Sequence, residues 1–170
     1  DLAREHAETL SVARTLTQHS LPSTFGLKAA QWLHGLGQAT AALEAAAAAL
    51  PLQWGGASGT MAALTAAAET SAASPLDLSA DLAARLGLAD PVAPWQTNRL
   101  PVTALGGALA DLLAAAGKVS NDVLLLSRPE IGEVSEPREE GRGGSSAMPQ
   151  KQNPVLSVLI RSAALAAPGY

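Results

Sequence analysis

A chain of 170 residues, 48% hydrophobic but only 3% aromatic, is long enough to bury a core without disulfide or metal staples. That core must be built from Ala, Leu and Val, which suit closely packed helices. A net charge of −4 with no basic cluster removes the electrostatic footprint of nucleic-acid binding, and the lack of cysteine is what a reducing compartment permits.

In chain order, Asp1 to Leu16 is expected to be helical, and its start, DLAREHAETL, lacks the basic n-region and apolar centre of a signal peptide. From Pro22 to Leu50 the positions Phe25, Ala29, Trp32, Leu36, Ala39, Leu43, Ala46 and Leu50 alternate steps of four and three, the spacing of a helix stripe. Pro22 supplies a first turn and Pro51 a stop. The glycines of WGGASGT, Trp54 to Thr60, break the chain, and Met61 to Ser71 reads as a short helix. Ser74-Pro75 offers an N-cap and first turn for a helix ending near Gly87.

A second long stripe runs through Val102, Leu105, Leu109, Leu112, Ala116, Val119, Val123 and Leu126, between Pro101 and Pro129. Within it Gly106-Gly107 point to close backbone approach. Pro154 to Ala167 begins a last helix. No convincing period-2 run appears, and no segment reaches the roughly 20 uninterrupted apolar residues of a membrane span. The expected class is all-α: an elongated bundle of long helices, one domain over 1–170, in the cytoplasm and without a membrane partner. Two stripes of about 40 Å each call for a core completed against other copies.

Between the second stripe and the last helix lies IGEVSEPREEGRGGSS, Ile131 to Ser146, followed by AMPQKQNP. Its composition makes a mobile loop over about 131–153. Asn153-Pro154 is a good N-cap pair, and a helix start presents free N–H groups and partial positive charge to an anion. Lys151 adds a full charge, and Gly143-Gly144 let the backbone approach a ligand, the makings of a carboxylate or phosphate clamp. Ser145 and Ser146 are hydroxyls beside these dipoles, an environment that stabilises an alkoxide and makes either a candidate base.

At these residues the chain resembles the fumarase/aspartase superfamily, whose signature loop G-S-S-x-M-P-x-K-x-N-P is matched from Gly144 to Pro154. The resemblance implies that Ser145 removes a proton alpha to a carboxylate, while Ser146, Lys151 and Asn153 bind that carboxylate as charge builds. Gln150 and Gln152 stand where many members carry His and Arg, so the loop is less basic. Upstream, TLTQHSLPSTFG, Thr15 to Gly26, is similar to a second family region. Leu16 occupies the position of the fumarase-type histidine, and His19 that of the adenylosuccinate lyases and 3-carboxy-cis,cis-muconate cycloisomerases. By the same resemblance His19 is a general acid. Gln18 and Thr15 suit hydrogen bonds to a substrate carboxylate, Thr15 equally a bond to its own backbone, and Thr97 and Arg99 of APWQTNR suit either a further carboxylate contact or a solvated helix-start charge. Gln96 stands where that last motif is expected to carry histidine.

GGASGT (Gly55 to Thr60) and APWQTNR (Ala93 to Arg99) look most like the cycloisomerase branch. The resemblance implies lactone formation from 3-carboxy-cis,cis-muconate without a cofactor, in the central helical domain of a longer chain assembled as a homotetramer with active sites shared between subunits. The substrate is then a small polycarboxylate. An adenylosuccinate or other fumarate-releasing lyase is the alternative within the superfamily, and an inactive helical oligomerisation module the alternative outside it. His6 and His34 read as ordinary helix residues and Trp32 and Trp54 as core or interface. Three His without Cys or acidic ligand spacing give no metal site.

Overall fold

In the computed structural model, residues 1–68 and 73–169 are described. Helices dominate: α1 (Leu2–Glu5), α2 (Phe25–Ala48), α3 (Ala62–Ala68), α4 (Pro75–Leu86), α5 (Leu100–Leu126) and α6 (Val155–Ala166), the last running into a 3-10 turn at Ala167–Gly169. One antiparallel hairpin, β1 (Leu10–Thr15) with β2 (Gln18–Thr24), is the only sheet among the described residues. The expected class thus holds, but the segment before α2 departs from expectation in two ways.

First, the segment expected to be one helix to Leu16 is a single helical turn followed by β1. Leu16 (φ 48°) and Thr17 (φ 68°) both take the left-handed conformation, as the tight two-residue turn matching strand twist requires. Val12, Thr15 and Thr17 are β-branched and favour the pleated state. Second, Pro22 starts no helix but pairs with Val12 across the hairpin. Every strand of a two-stranded ribbon has a free edge, where a residue without N–H is tolerated. Helix α2 begins three residues later, with Leu27 N donating to Thr24 Oγ1 (3.2 Å).

The chain divides into two compact units, residues 1–40 with 110–170, and residues 41–109. In the first, His6 meets Phe25 and Phe25 meets Trp32 edge to face, at 5.3 and 5.8 Å, and Trp32 Nε1 donates to Asp122 Oδ2 at 2.7 Å. Helices α5 and α6 come together where Ala164 occupies the space a Cβ on Gly117 would need. The close approach expected at Gly106-Gly107 is not there, since both face open space; the second stripe is exposed at Val102 and Leu109 and buried at its far end, Leu126. By length and composition α5 could cross a membrane, with a mean hydropathy of 1.5 over its most apolar window. Its Asp122 instead bonds Trp32 and pairs with Lys118.

In the second unit, Ala89 N donates to Leu50 O and Leu52 N to Ala89 O, both at 3.0 Å, and Trp95 Nε1 donates to Leu52 O at 2.9 Å. The glycine motif folds onto the tryptophan motif: Gly55 lies against Pro94 and Gly59 against the Gln96 amide, each closer than a Cβ would allow. Helix α3 covers only part of the short helix expected to Ser71, because 69–71 lie outside the described residues. Helix α4 starts and stops as expected, capped at Ser74 and ended by Gly87 at φ 68°.

Candidate functional site

Two segments of the first unit carry most of the expected site residues. Thr15, Gln18 and His19 sit at the hairpin tip, where Thr15 pairs with Gln18 and Arg14 with His19, and all three are exposed. Gln18 Nε2 donates to Thr17 Oγ1 (3.3 Å). Left-handed backbone at a leucine and a β-branched threonine is strained by about 1–2 kcal/mol per residue, so the tip is held in a shape its own residues disfavour.

The serine loop is closed at its base. Both Asn153 N (2.7 Å) and Asn153 Nδ2 (3.1 Å) donate to Gly143 O. Gly143 has φ +73°, and a Cβ there would lie 2.5 Å from Asn153 O, so glycine is required twice over. Within the loop Ser145 Oγ accepts from Met148 N (3.2 Å) and Ala147 N (3.4 Å), and two amides aimed at one oxygen favour its anionic form. Ser146 and Lys151 are exposed. Lys151, with Gln150 and Gln152, lines a cavity of about 400 Å³, and Ser145 lines another of about 510 Å³ beside Arg142 and Gln152. Neither reaches the hairpin tip, and no hydrogen bond or ion pair among the described residues joins His19 to the loop.

The helix start behind the loop differs from expectation. Pro154, not Asn153, is the N-cap of α6, and it makes no side-chain cap bond. The amides expected to receive a ligand anion are taken by Glu136, whose carboxylate accepts from Leu156 N (3.2 Å), Ser157 N (2.7 Å) and Ser157 Oγ (2.7 Å). Asn153 is drawn away because its amide closes the loop. Burial raises the Glu136 pKa, but the Ser157 and Leu156 hydrogen bonds and the Arg142 charge outweigh it and leave the group below its ordinary value.

Three residues earlier, Glu133 accepts from Ser11 Oγ (3.3 Å) and pairs with Arg14 (2.6 Å) and Lys28 (3.8 Å). The Arg14 hydrogen bond lowers its pKa, against a smaller rise from burial. Sequence reading passed over both glutamates. Their signal was the EVSE run at 133–136, a pair of carboxylates near the start of the segment read as a mobile loop.

Thr97 and Arg99 belong to the second unit and are exposed. The Arg99 guanidinium lies 5.9 Å from the Trp95 ring centroid, and Gln96 Oε1 is buried without a hydrogen-bond partner. Among the described residues no three His, Asp or Glu side chains gather as metal ligands.

The structure resembles the crystal structure of the 3-carboxy-cis,cis-muconate lactonizing enzyme from Pseudomonas putida, with a TM-score of 0.82 and 38% identity over 98% of this chain and 36% of that one. In sequence the chain is 49% identical to a nitrosuccinate lyase of Streptomyces davaonensis (99% of this chain, 36% of the relative). It is 43% identical to a 3-carboxy-cis,cis-muconate cycloisomerase of Bradyrhizobium diazoefficiens (98% and 36%). The chain therefore spans about a third of the length of the relatives it matches. A family described as Lyase matches residues 1–169, and the chain belongs to this family, within the fumarase/aspartase superfamily.

Proposed function

We propose that the whole protein removes a proton alpha to a carboxylate of a small polycarboxylate, with Ser145 as the base. The observation that carries this reading is the serine loop: an oxygen that accepts two backbone amides, in the same loop as a lysine that no carboxylate pairs with among the described residues. Such a setting stabilises negative charge on Oγ and on a nearby enolate-like intermediate. Lys151, Ser146 and Asn153, which keeps one N–H beyond its bond to Gly143, hold the substrate carboxylate, with Thr15, Gln18, Thr97 and Arg99 as further contacts. His19 is the general acid. The strained hairpin tip supports a functional role for its residues, since such strain persists where the surroundings impose it. No cofactor is required.

The first substrate reading is 3-carboxy-cis,cis-muconate. In the lactone-opening direction Ser145 takes the alpha proton, its electron pair forms the C=C bond, and the ring C–O bond breaks to release a carboxylate. Closure is the reverse. A second reading, elimination from nitrosuccinate, is supported by the 49% identity to the Streptomyces davaonensis lyase and by Gln96, which stands where the cycloisomerase-like motif is expected to carry histidine. There the same proton is removed and the nitro group leaves with the C–N electron pair.

The chain is then one central helical domain of a longer cytoplasmic protein, its loop at about 131–153 closing over substrate and its homotetramer sharing sites between subunits. Its exposed surface supports this assembly. Val158, Leu159 and Leu165 of α6 are more than half exposed, an apolar face that a partner would cover. The test is to assay full-length wild type and Ser145→Ala with carboxymuconate, nitrosuccinate and adenylosuccinate. Turnover of one substrate, reduced about 10²- to 10⁴-fold in the variant as loss of a general base entails, supports the reading; an unimpaired variant removes Ser145 from the mechanism.

A further inference from the structure

We propose that Glu133 is a positioning residue. It holds the hairpin that carries Thr15, Gln18 and His19 at a fixed attitude to the segment leading into the serine loop. The proposal rests on the reading that the hairpin tip acts on substrate.

A two-stranded hairpin is marginal on its own, and its sequence does not fix the direction in which its tip is presented. One carboxylate gathers that direction from three places: Ser11 Oγ and Arg14 Nη2 on β1, and Lys28 Nζ on α2. The anchor is firm. Glu133 N donates to Leu126 O at 2.9 Å, closing the end of α5 beyond a left-handed turn at Gly132, and Leu126 is only 2% exposed.

The Arg14 side chain is 10% exposed and that of Glu133 23%, so solvent screens the pair weakly. Arg14 Nη1 already lacks a partner; without Glu133 the guanidinium would be a buried charge with nothing to hold it in place. Because Arg14 is the cross-strand partner of His19, displacement of Arg14 is displacement of the tip. Glu136, three residues on, holds the first turn of α6, so the run 133–136 ties the hairpin on one side and the end of the loop on the other.

The test uses the full-length protein with Glu133→Gln, Arg14→Gln and the double variant. Hydrogen exchange of the free protein is expected to rise about tenfold or more at residues 10–24 while α5 and α6 keep their protection. With whichever substrate the wild type turns over, kcat is expected to fall about 10- to 100-fold, the scale of a misplaced catalytic group, with KM within about threefold. The double variant should be no worse than either single one, as for two ends of one interaction. Protection lost evenly throughout would mark a purely structural ion pair and overturn the proposal. So would additive losses, or a loosened hairpin with kcat intact. If the wild type turns over none of the substrates, the proposed reaction fails by itself, and exchange confined to 10–24 or spread through the chain still decides whether Glu133 tethers the hairpin.

Discussion

Helices α4 and α6 are each 12 residues long and each has a proline at its start, yet their first turns are satisfied in opposite ways. At α4 the cap is local: Ser74 Oγ accepts from Asp77 N (3.1 Å) and the Asp77 carboxylate accepts from Ser74 N (3.0 Å), a reciprocal pair three residues apart. At α6 the amides are met by Glu136, twenty residues before Leu156. A local cap can be read from four letters, whereas a borrowed one exists only once the chain has returned on itself. The helix start that looked like a seat for a substrate carboxylate already holds a carboxylate of the chain, so in the proposed mechanism the substrate carboxylate is left to the loop itself.

The largest effect on this contrast is expected from Glu136→Ala, which strips a charged acceptor from two amides and a hydroxyl and should cost about 2–3 kcal/mol; urea titration of the whole protein, with exchange rates at residues 155–158, would measure it. A cost below that of the Ser74 variant would reverse the comparison. The same contact has a pH signature. Because the folded pKa of Glu136 lies below its ordinary 4.5, its stabilisation is complete above that pH and is lost as pH falls through the lower folded value. Protection at the start of α6 should therefore decline below about pH 4.5, and a decline on raising the pH instead would contradict the assignment.

Next in size is Gly143→Ala, which meets both a positive φ and the Asn153 carbonyl and should cost about 2 kcal/mol, visible as faster proteolysis of the 143–153 loop with α4 unaffected. Ser74→Ala should cost about 1 kcal/mol, with exchange raised only in the first turn of α4. Smallest is Asp81→Ala, which removes an exposed pair with Arg85 and should change stability by less than about 0.5 kcal/mol; a larger shift in the unfolding midpoint would mean α4 relies on more than local contacts.

The amount legible in advance follows the range of the interactions. The stripe from Phe25 to Leu50 is buried or half-buried at every position named, because a 3.6-residue period is a local property. The hairpin was missed because its turn uses Leu16 and Thr17 in place of the glycine or asparagine that announces such turns. Glu133 and Glu136 were missed because their donors lie far along the chain, at Ser11, Arg14, Leu156 and Ser157.

By itself the sequence determined the helical class, the cap and end of α4, and the loop whose letters place the chain in its superfamily, since each depends on neighbours within a few residues. Only the tertiary structure decided that the second region is a hairpin, that Asn153 closes the loop instead of capping α6, and that Glu133 bonds the hairpin while Glu136 bonds the first turn of α6. The two glutamates meet donors 20 to 122 residues away in the chain, and only folding brings those donors to them.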